Sequence, residues 1–167
     1  MCGVIGVLGP AGCRAADLIY LGLYALQHRG EESCGVAVSD GAKVHLYKGM
    51  GLVPDVFDRE RLVELPGFMG IGHVRYSTTG ASYAVNAQPL LAYTSRGPVA
   101  VAHNGDLVNA RELRAELQRQ GSVFQTTTDS EVILNLFARF AQDDPDTAAM
   151  RTMSAIRGGY AVVMLTR

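Results

Sequence analysis

A cysteine at position 2 would combine two reactive groups once the initiator methionine is removed. Cys2 lies between Met1 and Gly3, and its small side chain favours removal of Met1. It would then carry a thiol and a free α-amine, and an α-amine with a pKa of about 8 is largely available as a base near pH 7. A thiol needs a base or a lowered pKa to become a good nucleophile. An N-terminal cysteine therefore supplies nucleophile and base together, and it needs no partner histidine.

Further polar residues stand where an apolar core would not need them. Arg29 follows a predicted helix, and Arg75 lies at the end of an apolar strand that runs into a cluster of hydroxyl residues. Asn104 and Gly105 end another apolar run, and Asp129 lies in the first turn of a predicted helix. Taken singly, each has an ordinary structural explanation. A surface ion pair, a tight turn and a favourable helix dipole would account for the arginine, the Asn-Gly pair and the aspartate.

Taken together, these segments resemble the class II glutamine amidotransferase domain, which is an N-terminal-nucleophile hydrolase. Within that family, the chain is most similar to the amidophosphoribosyltransferases of purine biosynthesis. The resemblance covers essentially the whole chain, and its specificity comes from the order and spacing of separate motifs. These motifs are MCGVIGVLG, LQHRGEESCGVAVSDG, GIGHVRYSTTG with NAQPL after it, VAHNGDLVNARELR and TTTDSEVIL.

The resemblance implies a catalytic role for a first group of residues. Cys2 is expected to attack the side-chain amide carbon of L-glutamine, with its own α-amine as general base and then as acid toward the leaving ammonia. Hydrolysis of the γ-glutamyl thioester would release glutamate. The side-chain N–H of Asn104 and the backbone N–H of Gly105 would form the oxyanion hole. Arg29 and Gly30 match the loop that contacts the N-terminal amine and closes the site.

A second group is expected to bind the substrate. Arg75 would hold the α-carboxylate of glutamine through a bidentate pair. Asp129 would hold the α-ammonium group, and this pairing would distinguish the free amino acid from a peptide-bound glutamine. Thr78 lies where the family has a hydroxyl near the substrate carboxylate. Tyr76, directly after Arg75, completes the predicted substrate-binding set.

Composition indicates an ordinary globular protein. The 167 residues suffice for one domain with its own core, and a content of 48% hydrophobic and 19% charged residues is typical of a folded chain. The net charge of −1 gives no argument for nucleic acid or an anionic membrane as a partner. No apolar stretch is long enough to predict a transmembrane helix.

The cysteines and histidines predict no metal site. The three cysteines lack a CxxC spacing, so the sequence predicts neither a zinc site nor a disulfide framework, and it favours a reducing, cytoplasmic location. His28, His73 and His103 lie at the ends of predicted strands or helices without ligand spacing. They are predicted to be structural, as are Cys13 and Cys34.

Apolar runs and turn signals predict an α+β fold. Strands come first in a meander, with helices clustered before and after them, which indicates layered sheets and not a doubly wound parallel sheet. The resemblance narrows this to a four-layer αββα sandwich of two antiparallel sheets. Among the local predictions, a helix over residues 15–27 places Leu18, Tyr20 to Leu21 and Ala25 on its more buried sides. Residues 128–131 are predicted to form a capping box before the next helix.

The resemblance also implies what would lie outside this chain. Residues 1–167 would form the glutaminase domain, while the phosphoribosyltransferase domain of the family has no counterpart here. Mg²⁺ and phosphoribosyl pyrophosphate would belong to that absent domain, so no cofactor is expected in this one. We therefore expect a piece of a longer enzyme, which would be a homo-oligomer when full length.

Three other interpretations stay open from the sequence. The first is the glutaminase domain of another class II enzyme, such as glucosamine-6-phosphate synthase, glutamate synthase or asparagine synthetase. Tyr76 favours the purine enzyme, because the glucosamine enzyme usually has a tryptophan there and this chain has none. The second is a noncatalytic module that senses glutamine, against which the retention of Cys2 argues. The third is a metal-binding protein that uses its cysteines and histidines.

Overall fold

The computed structural model describes residues 2–76 and 82–166. Its strands are β1 (Gly3–Leu8), β2 (Ser33–Ser39), β3 (Val44–Met50), β4 (Met69–Arg75), β5 (Leu90–Thr94), β6 (Gly97–Leu107) and β7 (Gly158–Thr166). Its α-helices are α1 (Ala15–Ala25), α2 (Val53–Val56), α3 (Arg59–Val63), α4 (Ala110–Arg119), α5 (Ser130–Arg139) and α6 (Pro145–Ala155). Across these two described stretches, none of the helices has the length and apolar character needed to traverse a bilayer.

The strands form two antiparallel sheets. The first sheet has the order β1-β4-β2-β3, and the second has the order β5-β6-β7. In the first sheet, Gly3 of β1 lies opposite Val74 of β4, and Ser33 of β2 lies opposite Arg75. The beginning of β1 is therefore next to the end of β4. Cys2 is one residue before Gly3, so this register places it at the same end of the sheet as Arg75.

Three apolar clusters separate four layers of secondary structure. One cluster lies between α1 and the first sheet, one lies between the two sheets, and one lies between the second sheet and the C-terminal helices. Their central members are, in that order, Ile19, Leu23, Val36 and Val74; Ala37, Ile71, Ala100 and Leu165; and Val101, Ile133, Leu136 and Phe137. The predicted α+β class and the αββα layering are confirmed. Each fully buried aliphatic side chain of these clusters stabilises the fold by about 1.5–3 kcal/mol.

Helix α1 buries a different face from the one predicted. Ile19 and Leu23 are fully buried, whereas Leu18 and Leu21 are 48% and 61% exposed. The reason lies in β4, where Gly72 has no side chain and a Cβ atom would collide with Cγ2 of Ile19. The helix therefore settles with Ile19 over the glycine. The prediction is wrong for Leu18, Leu21 and Ala25, which are exposed, whereas Tyr20 is partly buried against the core. An apolar stripe of α1 therefore faces outward.

Candidate active site

Cys2 is held between the end of β4 and the segment that follows α1. Its sulfur lies 3.5 Å from both the backbone nitrogen and the backbone oxygen of Tyr76. Its carbonyl oxygen accepts a hydrogen bond of 3.0 Å from Nε of Arg29. The residue is half-buried. The predicted nucleophile is thus held by the backbone of Tyr76 and the side chain of Arg29, and it is not fully buried.

Gly30 explains how Arg29 reaches Cys2. A short 3₁₀ turn (Gln27–Arg29) follows α1 and ends at Gly30, which is buried. A Cβ atom at position 30 would lie only 2.7–2.8 Å from the backbone atoms of Arg75. Because glycine lacks that atom, the loop can pack directly on the end of β4. The structure therefore brings together Cys2, Arg29, Gly30 and Arg75.

Arg75 is paired with a carboxylate that the sequence analysis did not include in the site. Its side chain is 3% exposed, and Nη1 donates a hydrogen bond to Oε1 of Glu32. The backbone nitrogen of Glu32 also donates a hydrogen bond of 3.1 Å to the carbonyl oxygen of Arg75. A guanidinium carries five N–H donors, so one arginine can pair with a protein carboxylate and a substrate carboxylate together. Glu32 could have been included from the sequence, because it lies only two residues after Gly30, which was predicted to belong to the site.

Strand β6 continues through Asn104 and Gly105, although the sequence predicts that it ends at His103. Gly105 has a φ of +147°, a conformation that other residues rarely adopt. A Cβ atom there would also collide with the carbonyl oxygen of Gly159 on β7. The glycine thus allows β6 to remain paired with β7 where its backbone is distorted. Asn104, just before this point, is half-buried.

Two buried histidines join the ends of the two sheets. Nε2 of His73 on β4 lies 3.0 Å from the carbonyl oxygen of His103 on β6. Because a carbonyl can only accept, Nε2 carries the proton and donates. Burial lowers the pKa of His73 to about 3, so its ring is neutral. Arg75 lies two residues beyond His73, and Asn104 lies one residue beyond His103. This contact therefore places both predicted functional groups at one end of the sandwich.

Asp129 turns its carboxylate toward β6 and not toward its own helix. Oδ2 accepts a hydrogen bond of 3.0 Å from the backbone nitrogen of Leu107, and Oδ1 lies 3.7 Å from Nδ1 of His103. No side-chain hydrogen bond from Asp129 caps α5. The carboxylate is thus tied to the strand that carries Asn104, near the end where the sheets meet.

The capping box predicted for residues 128–131 is not formed. Glu131 instead turns to the preceding loop, where it accepts hydrogen bonds from the backbone nitrogens of Gln125 and Thr126 at 2.8 and 2.7 Å. The Thr128 hydroxyl lies 3.0 Å from the hydroxyl of Thr126. The prediction is wrong because Glu131 satisfies donors of the loop and not those at the start of α5.

Two residues near the predicted substrate position have aromatic side chains. Tyr76 is 57% exposed, while its backbone contacts the sulfur of Cys2. Tyr160 of β7 lies opposite Gly105, and its ring centroid is 6.3 Å from that of His103. Thr78 lies outside the described residues, so its expected place near the substrate carboxylate stays a prediction.

The other cysteines and histidines form no second reactive centre in the described parts of the chain. Over residues 2–76 and 82–166, no group of three or more His, Cys, Asp or Glu side chains could hold a metal ion. Cys34 is fully buried, and the resulting desolvation raises the pKa of its thiol to about 12. A thiol with so high a pKa is a poor nucleophile at neutral pH. Nδ1 of His28 lies 3.1 Å from the carbonyl oxygen of Ala25, at the end of α1.

Comparisons with known proteins agree on one family. Residues 73–167 match the family model described as a glutamine amidotransferase domain. The amidophosphoribosyltransferases of Methanocaldococcus jannaschii and Bacillus subtilis are 47% and 41% identical to this chain, over 167 and 166 residues. Each comparison covers 99% of this chain, but only 36% and 34% of the relative. The chain therefore spans about a third of the length of the curated relatives that it matches.

A solved structure supports the same relationship. The glutamine phosphoribosylpyrophosphate (PRPP) amidotransferase from B. subtilis, complexed with ADP and GMP, superposes on this chain with a TM-score of 0.89. The two are 39% identical, and the superposition covers 99% of this chain and 35% of the other. The similarity therefore extends over all four layers of the sandwich.

Proposed function

This chain belongs to the glutamine amidotransferase domain family, and on that basis we propose that it hydrolyses L-glutamine to glutamate and ammonia through a γ-glutamyl thioester on Cys2. We further propose that it is the ammonia-supplying domain of an amidophosphoribosyltransferase of purine biosynthesis. The observation that carries the proposal is the convergence of Cys2, Arg75 and Asn104 at one end of the sandwich. The contacts of the sulfur with Tyr76 and of His73 with His103 support that convergence, because they join the residues next to Arg75 and Asn104.

The α-amine of Cys2 is the proposed base. After removal of Met1, the amine and the thiol belong to the same residue, so proton transfer between them needs no other side chain. The guanidinium of Arg29 is bound to the carbonyl oxygen of Cys2, which brings a positive charge near the amine. A neighbouring cation disfavours the protonated amine and so keeps it available as a base. Arg29 thus has an electrostatic role in addition to holding the residue in place.

Asn104 and Gly105 are the proposed oxyanion donors. Attack of the thiolate on the amide carbon converts the carbonyl oxygen into an oxyanion, which needs donors already in position. The side-chain amide of Asn104 makes no hydrogen bond with another described residue, so it can donate to a substrate. The glycine at 105 lets the backbone approach the substrate without a side chain in between. The ammonia then leaves with the proton that the α-amine returns.

Arg75 and Asp129 are the proposed ligands of the amino-acid head group. Arg75 is preorganised by its pair with Glu32, and Asp129 is preorganised by its bond from Leu107. An ion pair to each end of the head group would require both a free α-carboxylate and a free α-ammonium. That requirement would exclude peptide-bound glutamine from the site.

The test of this proposal is covalent labelling of Cys2 combined with an ammonia-release assay. We expect a chloroketone analogue of glutamine to give one adduct, which peptide mass spectrometry maps to Cys2 in a chain that has lost Met1. Cys2→Ser should abolish ammonia release, because a serine hydroxyl is a far weaker nucleophile than a thiolate. Cys13→Ser is the matched control and should retain activity. Comparable ammonia release from Cys2→Ser, or full activity with Met1 retained, would contradict the proposal.

The assignment to an amidophosphoribosyltransferase has its own test in the longer enzyme. There we expect Cys2→Ser to abolish synthesis from glutamine while leaving synthesis from added ammonium salts intact. That separation would identify this domain as the source of ammonia and another domain as its consumer. Loss of both activities would argue against the assignment.

A further inference from the structure

Strand β6 loses one of its partners just before the proposed oxyanion donors. Strand β5 begins at Leu90, which lies opposite Val101 of β6. His103, two residues further on, still pairs with Val162 of β7, but β5 no longer reaches it. A buried backbone N–H on that side needs another acceptor.

The side chain of Gln88 provides that acceptor. Its Oε1 accepts a hydrogen bond of 2.8 Å from the backbone nitrogen of His103. Its Nε2 donates to Oγ of Ser130 at 3.0 Å, and this oxygen lies 3.0 Å from Nδ1 of His103. All three residues are buried: Gln88 is 4% exposed, Ser130 is 1% exposed and His103 is 2% exposed. Together they form a closed and buried ring of hydrogen bonds.

This ring connects the two proposed functional elements of the second sheet. His103 directly precedes Asn104, and Ser130 directly follows Asp129. The carbonyl oxygen of His103 accepts a hydrogen bond from His73. Both backbone groups of His103 are therefore held by side chains, at the residue just before the proposed donors.

We propose that Gln88 is a positioning residue for the oxyanion hole. It replaces the missing β5 contact and fixes β6 immediately before Asn104 and Gly105. Through Ser130 it also ties that strand to the start of α5, which carries Asp129. Both ends of its amide are hydrogen-bonded within the protein interior, so it acts through β6 and not through contact with the substrate. This inference rests on the proposed glutaminase function, because the position of β6 affects the reaction rate only if the reaction forms an oxyanion that needs these donors.

The test replaces Gln88 by methionine, which has a similar length but can neither accept the bond from His103 nor donate to Ser130. We expect kcat for glutamine hydrolysis to fall on the order of 10- to 100-fold, since small displacements of catalytic donors have effects of that size. KM should stay within about threefold, because Arg75 and Asp129 keep their own bonds to Glu32 and Leu107. Gln142→Met is the matched control, since it removes an exposed Gln–Ser hydrogen bond of 3.2 Å to Ser95. That control should have the kcat of the parent protein.

A second measurement separates positioning from a general loosening of the site. Alkylation of Cys2 by iodoacetamide is a displacement at a saturated carbon, which forms no oxyanion. We therefore expect the alkylation rate of Gln88→Met to match that of the parent while kcat falls. An unchanged kcat would overturn the inference. Equal falls in kcat and in the alkylation rate would overturn it as well.

Ser130→Ala carries the same test if Gln88→Met does not fold. It deletes one hydroxyl and leaves the bond between Gln88 and His103 possible, so we expect a fall in kcat of about tenfold with an unchanged alkylation rate. A folded Ser130→Ala protein with the parent kcat would then overturn the inference. A parent protein that releases no ammonia would overturn the proposed function and this inference together. An active parent with unaffected variants would overturn the inference alone.

Discussion

At the end of the first sheet, Cys2 and Arg75 are held largely by main-chain contacts. Strand β1 pairs with β4 almost to the chain start, and Gly30 packs directly on the backbone of Arg75. At the end of the second sheet, β6 extends beyond β5, and the side chains of Gln88 and His73 hold its backbone instead. One half of the site is thus positioned by strands paired on both sides of β4, whereas in the other half β6 keeps its pairing with β7 and depends on individual side chains where β5 has ended.

This difference indicates which kinetic constant each half controls. A strand ladder distributes positional control over many backbone bonds, so substitutions there act mainly through groups that touch the substrate. A strand held by a few side chains depends on each of them, because a buried backbone group loses its partner when one is removed. We therefore expect changes near Arg75 to affect KM and changes near Asn104 to affect kcat.

The largest expected effect is that of Asn104→Ala. Loss of one oxyanion donor typically lowers kcat by about 10²–10³-fold, and we expect a fall in that range with KM within about threefold. Steady-state ammonia release measures both constants. Asn135→Ala is the control, because among the residues that the structure describes the Asn135 side chain bonds to the backbone of Glu131 within α5. If kcat for Asn104→Ala equals that of the control, Asn104 of the second sheet does not stabilise the oxyanion.

The next effect concerns His73, which connects the two halves. Burial lowers its pKa to about 3, whereas the unfolded chain protonates this histidine below about pH 6.5. The unfolded state therefore binds the additional proton as the pH falls, so His73 makes the folded state progressively less stable below pH 6.5. We expect this histidine to reduce the free energy of unfolding by about 2 kcal/mol between pH 7 and pH 5.

Urea unfolding of the parent protein and of His73→Gln at both pH values measures that contribution. The variant should lose about 2 kcal/mol less than the parent over this interval, whatever its stability at pH 7. His28→Gln, at an exposed site, should show the pH dependence of the parent. If the parent and His73→Gln show equal pH dependence, the histidine is not buried as a neutral ring.

The smallest of the three effects is expected for Arg75→Lys. A lysine keeps the charge but replaces the planar fork by a point charge, so we expect KM for glutamine to rise about tenfold. The fall in kcat should be smaller than that caused by Asn104→Ala. Arg151→Lys, which alters an exposed ion pair with Asp143, is the control. An unchanged KM would mean that the first sheet does not bind the substrate carboxylate.

Most of the fold could be predicted because turn signals separate apolar runs of strand length. Asp40 and Gly41 lie between two short β-rich runs, which is a strong hairpin signal. In the structure they join β2 to β3, and Asp40 accepts hydrogen bonds from the backbone nitrogens of the turn. The buried face of α1 could not be predicted in this way. The helix is apolar on most of its sides, and the choice of face depends on the gap at Gly72 in a distant strand.

The site was predictable only where a motif contains its residues. Glu131 occupied the correct position for a capping box, but the donors of the 125–126 loop compete for its carboxylate. Gln88 and Ser130 lie within two of the motifs, but neither was assigned a role, because each looks like an ordinary polar residue in its own segment. Their importance arises from a contact between distant parts of the chain. Local patterns cannot reveal which backbone groups a strand leaves unpaired.

The places of Tyr76 and Tyr160 have a practical consequence. One lies beside Cys2 in the first sheet, and the other lies against His103 in the second. The chain contains seven tyrosines and no tryptophan, so its intrinsic fluorescence comes from tyrosine alone. A ligand that binds beside Cys2 would change the surroundings of Tyr76, whereas Tyr160 packs with the core on the helix side of the second sheet. Occupancy can thus be followed optically in the unlabelled protein.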